Sequence, residues 1–454
     1  MVFKKLSAIF LIAALTAASA TGCSSNKIDT SADKAKVEGN TTASPTASTD
    51  AGTKKYEGVT LSILRENSMS AEGLNAVLKA ATDELGMKFD VETYVSGSDG
   101  DNIIKTRLAS GEMSDLCIYN AGSLLTALNP SEYFADISNE EAASRLDDTF
   151  KSTVTVDGAV YGVPFNSAAA GAVLYYKPDY KELGLSVPKT WEEFLANCDA
   201  LQKAGKTALI GTFGDSWTSQ VLFLGDNYNV LAAQPDFPKK FEAGENKYAT
   251  TKAGLRSFEK MADVSKYYNK DYLAATYNDG VDMLANGEGS QWIMLTQVLS
   301  NIFELYPEKV NDIGVFAIPG DNPDDNGLTV WMPNALYVNK ESKNEAAALA
   351  FINFYTFAKA LDAYSSSILP DGPYCIKNYK LPDNAYDAVK TDMQAYFDAG
   401  KTAVALEFLT SVKGPNCAAI TQEVGTGQAT AKEAAKAYDE DCKKQAVQLG
   451  LNWK

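Results

Sequence analysis

The first half of the chain alternates between short apolar runs and amphipathic stretches. Apolar and polar residues alternate from Gly58 to Leu64, and this period of two predicts a β-strand. The next stretch has helical spacing and ends at Gly86, a residue type that commonly terminates helices. The same patterns predict three strands and two helices in alternation, over residues 58–64, 70–86, 87–95, 101–112 and 115–120. This alternation is typical of an open α/β lobe with a parallel sheet.

The second half is richer in helices, and two capping signals indicate where helices begin. Thr190 opens a T-x-x-E capping box, after a strand and a proline-bearing loop, and Thr430 opens a second box before the final helix. Further helices are predicted around residues 252–270 and 344–361. Between those two helices, the segment NDIGVFAIPGDNPDDNG predicts a strand that leads into an exposed crossing. The chain therefore has α/β character along its whole folded length.

The N-terminus has the composition of an export signal. Two lysines precede an apolar run from Leu6 to Ala18, which is shorter than a membrane-spanning helix requires. The letters ATGC that follow resemble a bacterial lipobox, which predicts a signal peptide over residues 1–22, cleavage before Cys23 and lipidation of the Cys23 thiol. The alternative is an ordinary secretory signal followed by a chance cysteine.

Residues 23–55 have almost no large apolar side chains and consist mostly of Ser, Thr, Ala, Asp and Lys. Such a segment cannot bury enough surface to fold, so it predicts a flexible tether behind the lipidated Cys23. A lipid, a tether and a globular body predict a protein anchored at the extracellular face of the cell membrane.

Composition excludes several classes of function. A formal net charge of −17 disfavours nucleic-acid binding, which needs clustered Lys and Arg. The chain has no histidine, and this excludes catalytic relays through histidine, histidine-ligated zinc and histidine pH switches. Catalysis by paired carboxylates or by lysine stays open. A length of 454 residues predicts two lobes rather than one simple core.

Five cysteines follow Cys23, at positions 117, 198, 375, 417 and 442. An odd number leaves at least one free thiol or an intermolecular bond. Cys117 lies in the apolar run LCIY and is predicted to be a small buried residue. A bridge between Cys375 and Cys417 suits an oxidising compartment, but the sequence leaves the pairing open. No C-x-x-C pair occurs, so we expect neither a metal site nor a cofactor.

One long segment, DGAVYGVPFNSAAAGAVLYYKPDYKELGLSVPKTWEEFLANCDALQKAG, resembles the extracellular solute-binding protein family 1, the sugar-binding lipoproteins of ABC importers. Three later segments are also similar to the family's pattern: LANGEGSQWIM, VNKESKNEAAALAFINFY and GTGQATAKEAAKAYDED. In the first of these, Ser290 and Gln291 depart from the usual glycine spacing. The residues of the long segment that match are Asp157, Gly158, Tyr161, Gly162, Pro164, Tyr175, Lys177, Gly184, Leu185, Pro188, Thr190, Trp191, Glu192 and Glu193.

The resemblance implies a two-lobed, type II-like periplasmic-binding-protein fold, in which helices flank a sheet in each lobe. We expect one lobe to combine residues 56–165 with 329–372, and the other to combine 166–328 with 373–454. The crossings between the lobes are expected near residues 162–166, 319–328 and 369–374. The ligand is expected between the lobes, where both can contact it and stabilise a closed state.

The resemblance also implies the function. We expect a monomeric binding protein without enzymatic activity, which captures a carbohydrate, an oligosaccharide above all, and delivers it to the membrane subunits of an ABC permease. A sugar ring has an apolar C–H face that packs on aromatic rings and a rim of hydroxyls that needs paired donors and acceptors.

Three tryptophans are candidates for that aromatic surface. Trp292 is the first, because it follows flexible glycines and because the family's matching tryptophan stacks on sugar; burial in the core is the alternative. Trp217 lies in a loop rich in turn residues, and Trp331 lies beside the expected second crossing. Trp191, at the start of a capped helix, is predicted to be structural.

Polar candidates follow predicted strands or lie at the expected crossings, because loops at the carboxyl ends of strands line the crevices of α/β sheets. For each of them, a loop-capping or solvated side chain is the alternative. The candidates are Arg65, Glu66, Asn67, Asn120, Asn166, Ser167 and Asp371.

Three other functions stay open. The same fold can bind a peptide or a polyamine, although a cation would need several acidic residues in place of aromatic rings. A secreted glycosidase would need an acid and a nucleophile that face each other across the cleft. An anchored sensor or adhesin on the same fold is the third alternative.

Overall fold

The structure, a computed structural model, describes residues 55–67, 69, 71–95 and 97–453. The predicted signal peptide, the lipidated Cys23 and all but the last residue of the predicted tether lie outside the described residues. Within the described ranges, no helix combines the length and the apolar character needed to cross a membrane.

Twelve β-strands in the described part of the chain form two five-stranded sheets and one hairpin. They are β1 (Thr60–Glu66), β2 (Lys88–Tyr94), β3 (Leu116–Tyr119), β4 (Thr155–Val156), β5 (Ala159–Val160), β6 (Gly162–Pro164), β7 (Ala169–Tyr176), β8 (Gln291–Leu295), β9 (Ile313–Ala317), β10 (Leu328–Trp331), β11 (Ala335–Val338) and β12 (Thr402–Val404).

Twenty α-helices surround these sheets in the described residues. They are α1 (Glu72–Leu85), α2 (Gly97–Ser110), α3 (Ser123–Thr126), α4 (Pro130–Tyr133), α5 (Glu141–Arg145), α6 (Asp148–Thr153), α7 (Lys177–Leu183), α8 (Trp191–Lys203), α9 (Val221–Gly225), α10 (Asn227–Ala233), α11 (Phe237–Glu242), α12 (Lys252–Val264), α13 (Tyr277–Asn286), α14 (Val298–Leu305), α15 (Glu345–Tyr355), α16 (Ala358–Ser367), α17 (Gln394–Asp398), α18 (Leu406–Leu409), α19 (Cys417–Gly425) and α20 (Ala431–Gln448).

The first sheet has the strand order β2-β1-β3-β11-β6. Its first three strands are parallel, as the sequence predicts, with Thr60 opposite Lys88 and Ile63 opposite Leu116. Strand β11 comes from much later in the chain and runs antiparallel to both β3 and β6. The sheet is therefore mixed, and one of its strands, β11, returns from the second half of the chain.

The second sheet is built around β7, which pairs antiparallel with β8 on one side and with β9 and β10 on the other. Strand β12 adds parallel to β10 at the edge. The chain forms the predicted two-lobed α/β architecture, with one sheet in each lobe. A large hydrophobic cluster includes strands of both sheets, and a second cluster, between Val173 and Trp453 in sequence, belongs to the second lobe.

One expected crossing is placed wrongly by the sequence. Residues 319–328 connect β9 to β10, and both strands belong to the second sheet. The passage to the first sheet follows Trp331 instead, because the short strand β10 still pairs with β7 before the chain reaches β11. The first passage, between β6 and β7, comprises residues 165–168, so it overlaps the expected 162–166 crossing only at its last two residues.

Helix boundaries follow local chemistry. Gly86 ends α1 with a φ of 85°, a left-handed conformation that glycine adopts without strain. Thr430 and Glu433 form the predicted capping box of α20, and Thr190 caps α8 by accepting a hydrogen bond from the Glu193 backbone N–H.

One predicted helix is shorter than expected, and another is divided into two. The predicted 252–270 helix ends at Val264 and continues as a single 3₁₀ turn. The predicted 344–361 helix divides into α15 and α16, because the chain is extended at Phe357, where φ is −87° and ψ is 153°.

All five cysteines of the described chain are free and buried. The suggested bridge between Cys375 and Cys417 is therefore not formed. Burial raises the pKa of the Cys117 thiol to about 12, which fits its predicted role as a small buried side chain.

Candidate functional site

The first passage between the sheets lies beside residues 371–373, which fall within the expected third crossing at residues 369–374. The backbone N–H of Ala168 donates to the carbonyl of Pro373 at 2.8 Å, and the backbone N–H of Asp371 donates to Ser167 Oγ at 3.3 Å. A Cβ added to Gly372 would lie 2.1 Å from the carbonyl oxygen of Ala168, so only glycine fits at this contact. Two of the predicted polar residues, Ser167 and Asp371, therefore meet at the junction of the lobes.

Asp371 has an unusual environment for a carboxylate. Burial raises the pKa of its carboxyl to about 7, although a hydrogen bond from the Ser300 hydroxyl acts in the opposite direction. Ser300 lies on α14, and its hydroxyl is also 3.5 Å from the hydroxyl of Tyr386. Near neutral pH, the Asp371 carboxyl can therefore either donate or accept a hydrogen bond.

Three aromatic rings form a row in the second lobe. The ring centroids of Trp217 and Tyr277 are 5.4 Å apart, as are those of Tyr277 and Trp292. The Tyr277 hydroxyl donates to Asn301 Oδ1 at 2.7 Å, and Asn301 follows Ser300 on α14. The middle ring of this row therefore bonds to the same helix that holds Asp371, and the partly exposed members of the row are Trp217 and Tyr277.

Trp292 does not have the exposed ring that the sequence leads us to expect. It lies on β8, an edge strand of the second sheet, opposite Leu174 of β7, and only 1% of its surface is exposed. A Cβ added to Gly280 on α13 would lie 2.6 Å from the Trp292 ring, so a glycine makes room for this ring in the core. Trp292 therefore packs against the Tyr277 ring inside the second lobe, and its own ring is not exposed to a ligand.

The glycines before Trp292 also have structural roles. Gly287 ends α13 with a φ of 69°, and a Cβ at Gly289 would lie 2.2 Å from the Ile210 side chain. Ser290 and Gln291, which depart from the family pattern, are fully buried. Gln291 accepts from the Tyr180 hydroxyl and donates to the Ala208 carbonyl, which fixes the start of β8 in the core.

Trp331 is partly exposed at the end of β10, directly before the passage to the first sheet. Its ring packs over Gly171 of β7, where an added Cβ would lie 2.7 Å from the ring. Its indole N–H donates to Glu407 Oε1 at 2.8 Å. The ring is therefore fixed at two ends while part of its surface stays accessible.

The predicted residues of the first lobe follow two adjacent strands. Arg65 and Glu66 end β1, and Asn120 follows β3, which pairs with β1. Arg65 Nη1 donates to the carbonyl oxygens of Glu66 and Met69 at 3.0 and 2.6 Å, whereas Asn67 is exposed. The backbone carbonyl of Asn120 accepts from the Tyr337 hydroxyl at 2.9 Å, so strand β11 anchors this loop.

Two buried polar atoms among these residues have no hydrogen-bond partner in the described structure, namely Arg65 Nε and Asn166 Oδ1. Asn166 lies in the first passage, next to Ser167. An unpaired buried acceptor costs about 1–3 kcal/mol, so a donor from a ligand at this position would be favourable.

The structure adds three residues that the sequence did not single out: Tyr277, Ser300 and Glu407. Tyr277 opens α13 behind a capping box in which Thr276 and Asp279 exchange hydrogen bonds, and this T-x-x-D signal could have located the start of the helix. No sequence signal identifies Ser300 or Glu407, because their role depends on contacts with residues 71 and 76 positions away.

Two concave regions of the described chain lie away from these residues. One of about 470 Å³ is lined by charged residues of the second lobe around Arg256 and Lys260, and another of about 490 Å³ lies between α6 and residues 373–379. None of the ten predicted ligand-binding residues lines either region. Within the described residues, no group of three or more Cys, Asp or Glu side chains is placed to hold a metal ion.

The arrangement is suited to a neutral ligand rich in hydroxyl groups. The partly exposed Tyr277 bonds to the helix that also bonds Asp371, and the partly exposed Trp331 directly precedes the second passage between the sheets. Ser167 and the unpaired amide oxygen of Asn166 lie in the first passage. Flat rings can pack on apolar C–H faces, and the polar groups can pair with hydroxyls.

Comparison with known proteins places the chain among binding proteins. The model of the family described as "Bacterial extracellular solute-binding protein" matches residues 71–361, which is more than half of the chain. The chain is 26% identical over 350 residues to the multiple sugar-binding protein of Streptococcus mutans, an alignment that covers 74% of this chain and 79% of that protein. It is 22% identical over 333 residues to the melibiose/raffinose/stachyose-binding protein MelE of Bacillus subtilis, covering 71% and 76% of the two chains.

Solved structures support the same fold. The bacterial solute receptor AcbH, which prefers β-D-galactopyranose, superposes with a TM-score of 0.72 at 20% sequence identity, over 87% of this chain and 100% of AcbH.

Proposed function

Because the chain belongs to the family of bacterial extracellular solute-binding proteins, we propose that it captures a carbohydrate between its two lobes. The names of two relatives, which bind multiple sugars or melibiose, raffinose and stachyose, support an oligosaccharide as the ligand. The observation that carries the proposal is the junction where Asp371, Ser167 and the unpaired Asn166 Oδ1 lie together.

The proposed site combines both lobes. Trp331, Trp217 and Tyr277 supply aromatic surfaces from the second lobe, and Asp371, Ser167 and Asn166 supply polar groups at the junction. Arg65, Glu66, Asn67 and Asn120 approach from the first lobe. A ligand that contacts both lobes stabilises the closed state, because it gains contacts there that the open state lacks.

The proposal includes delivery to a membrane transporter. We propose that the protein works as a monomer, anchored through a lipid on Cys23 at the extracellular face of the membrane, and passes its sugar to the permease subunits of an ABC importer. The lipobox-like segment and the tether composition support the anchor. The proposed first lobe is residues 56–165 with a return that begins at β11, and the remaining folded residues form the second. Residues 375–377 pair with residues 145–147 of the first lobe, so this return extends beyond the expected boundary at residue 372.

A panel of mono- and oligosaccharides tested by thermal shift, followed by calorimetry, examines the function. One class of sugar should raise the melting temperature in a saturable manner, because a ligand that binds only the folded state stabilises it by mass action. The Trp331→Ala variant should weaken binding of that sugar by about 2–4 kcal/mol, as expected for an aromatic hot spot. Trp453→Phe, at the far end of the chain, is the matched control and should bind like the wild type.

Other outcomes would overturn the proposal. Failure of every sugar, with saturable binding of a peptide or a polyamine instead, would assign a different ligand to the same fold. Turnover of a chromogenic glycoside would indicate a glycosidase. Normal binding by Trp331→Ala would move the ligand away from this ring.

A further inference from the structure

Glu407 stands at the centre of a small group of contacts beside the second passage. Its Oε1 accepts the indole N–H of Trp331 at 2.8 Å, and its Oε2 accepts from Lys413 Nζ at 2.6 Å. The Glu407 side chain is 27% exposed, so these contacts lie partly out of water. The Trp331 indole has a single N–H donor, and its hydrogen bond to Glu407 leaves no other donor on this side chain.

The backbone of the same residue contacts the first lobe. The Ser123 hydroxyl donates to the Glu407 carbonyl at 2.9 Å, and Ser123 begins α3, just after β3 of the first sheet. Gly122 has a φ of 71°, and a Cβ there would lie 2.5 Å from the carbonyl oxygen of Phe408. The backbones of the two lobes therefore approach as closely as a glycine permits at this point.

These contacts connect the Trp331 ring, through Glu407, to Ser123 of the first lobe. The Trp331 ring packs on Gly171 at one edge and bonds to Glu407 at the other, so two contacts determine its orientation. Glu407 lies on α18, which follows β12 of the second sheet and contacts α3 of the first lobe through Ser123. A change in the relative position of the lobes must therefore disturb the residue that holds the ring.

We propose that Glu407 is the positioning residue of Trp331, and that its contact with Ser123 couples the orientation of this ring to the arrangement of the two lobes. The inference rests on the proposed function in one respect, namely that Trp331 contacts the sugar. The charge of Glu407 is not required for this role, because the indole needs only an acceptor oxygen.

Indole N–H signals in a ¹H–¹⁵N spectrum of the full chain test the positioning role without any ligand. The chain has five tryptophans, and the Trp331→Phe variant identifies the Trp331 signal. Glu407→Ala should shift this signal, whereas Glu407→Gln should leave it near its wild-type position because Gln keeps the acceptor oxygen. Asp263→Ala is the matched control: it removes the 3.0 Å bond to the indole of the buried Trp191 and should shift only that signal.

Calorimetry with the sugar identified in the panel supplies the second measurement. Glu407→Ala should weaken binding about five- to tenfold, because the indole N–H loses its acceptor and the ring loses its fixed orientation. Glu407→Gln should bind within about threefold of the wild type, and Asp263→Ala should bind equally well. If Gln is as damaging as Ala, the Lys413 contact matters instead and the inference is wrong.

Ser123→Ala tests the coupling between the lobes, with Ser152→Ala on α6 of the same lobe as the control. Ser123→Ala should shift the Trp331 indole signal and weaken sugar binding by about threefold or more, because one neutral hydrogen bond is lost. An unchanged signal and affinity would contradict the coupling. If no sugar binds even the wild type, the proposed function fails, and the indole signals still decide the positioning role.

Discussion

Asp371 shows how one residue acquires its chemistry from its surroundings. Its sequence context, LPDGPY, indicates only a turn. In the folded chain, Gly372 approaches the Ala168 backbone closely, and the neighbouring Asp371 carboxyl is buried. This burial raises the pKa of Asp371 to about 7. The residue therefore changes charge near the pH at which an extracellular protein works.

Stability should depend on the charge of Asp371. An unfolded Asp has a pKa near 3.8, so between that pH and about 7 the folded state binds more protons, and the free energy of unfolding falls as pH rises. Urea denaturation at about pH 5 and about pH 8 should show a larger loss for the wild type than for Asp371→Asn. Asp324→Asn, on an exposed loop, is the control and should follow the wild type. Parallel losses in Asp371→Asn and the wild type would contradict this prediction.

Trp292 is a single residue whose strand could be predicted from the sequence but whose burial could not. The sequence could place this tryptophan at the start of a strand, and the strand is present. It could not show that Gly280, twelve positions earlier on another element, makes room for the ring in the core. Of the three predicted tryptophans, Trp217 and Trp331 are partly exposed, and contact partners distant in sequence decide which ring is covered.

At the scale of elements, local signals are reliable and pairing partners are not. The capping residues Thr190 and Thr430 and the terminator Gly86 lie where the sequence predicts, because each acts within one helical turn. The 319–328 crossing is wrong, because the sequence does not show that β10 pairs with β7, more than 150 positions earlier.

The buried ion pair of α12 is an element-scale contact with a large expected effect. Lys260 and Asp226 side chains are only 1% and 2% exposed, and Lys260 Nζ lies 2.5 Å from the Asp226 carboxylate and 2.7 Å from the Pro319 carbonyl. These contacts join α12 to the start of α10 and to the loop after β9.

Lys260→Met should lower the free energy of unfolding by about 3–5 kcal/mol, because Asp226 would remain buried without its cation. Lys79→Met removes an ion pair whose partners are 79% and 62% exposed, and should change stability by no more than about 0.5 kcal/mol. Urea denaturation of both variants makes the comparison. Similar effects in the two variants would show that burial does not determine the contribution of the pair.

At the scale of the whole molecule, the sequence predicts the architecture, whereas the arrangement of the site residues is visible only in the structure. Strand and helix alternation and the family resemblance predict two α/β lobes, which the two sheets confirm. The site itself depends on the juxtaposition of three passages that are far apart in sequence, so its members could only be proposed one by one. The contacts of Glu407 and Ser300 with Trp331 and Asp371 can be recognised only in the folded chain.

The most direct test is a crystal structure of the protein with the sugar that stabilises it in the panel. The sugar should lie between the lobes, with a ring against Trp331 or Trp217, a polar contact at Asn166, Ser167 or Asp371, and at least one contact from Arg65, Glu66, Asn67 or Asn120. A sugar bound only in the charged cavity beside Arg256, or touching one lobe alone, would contradict the account.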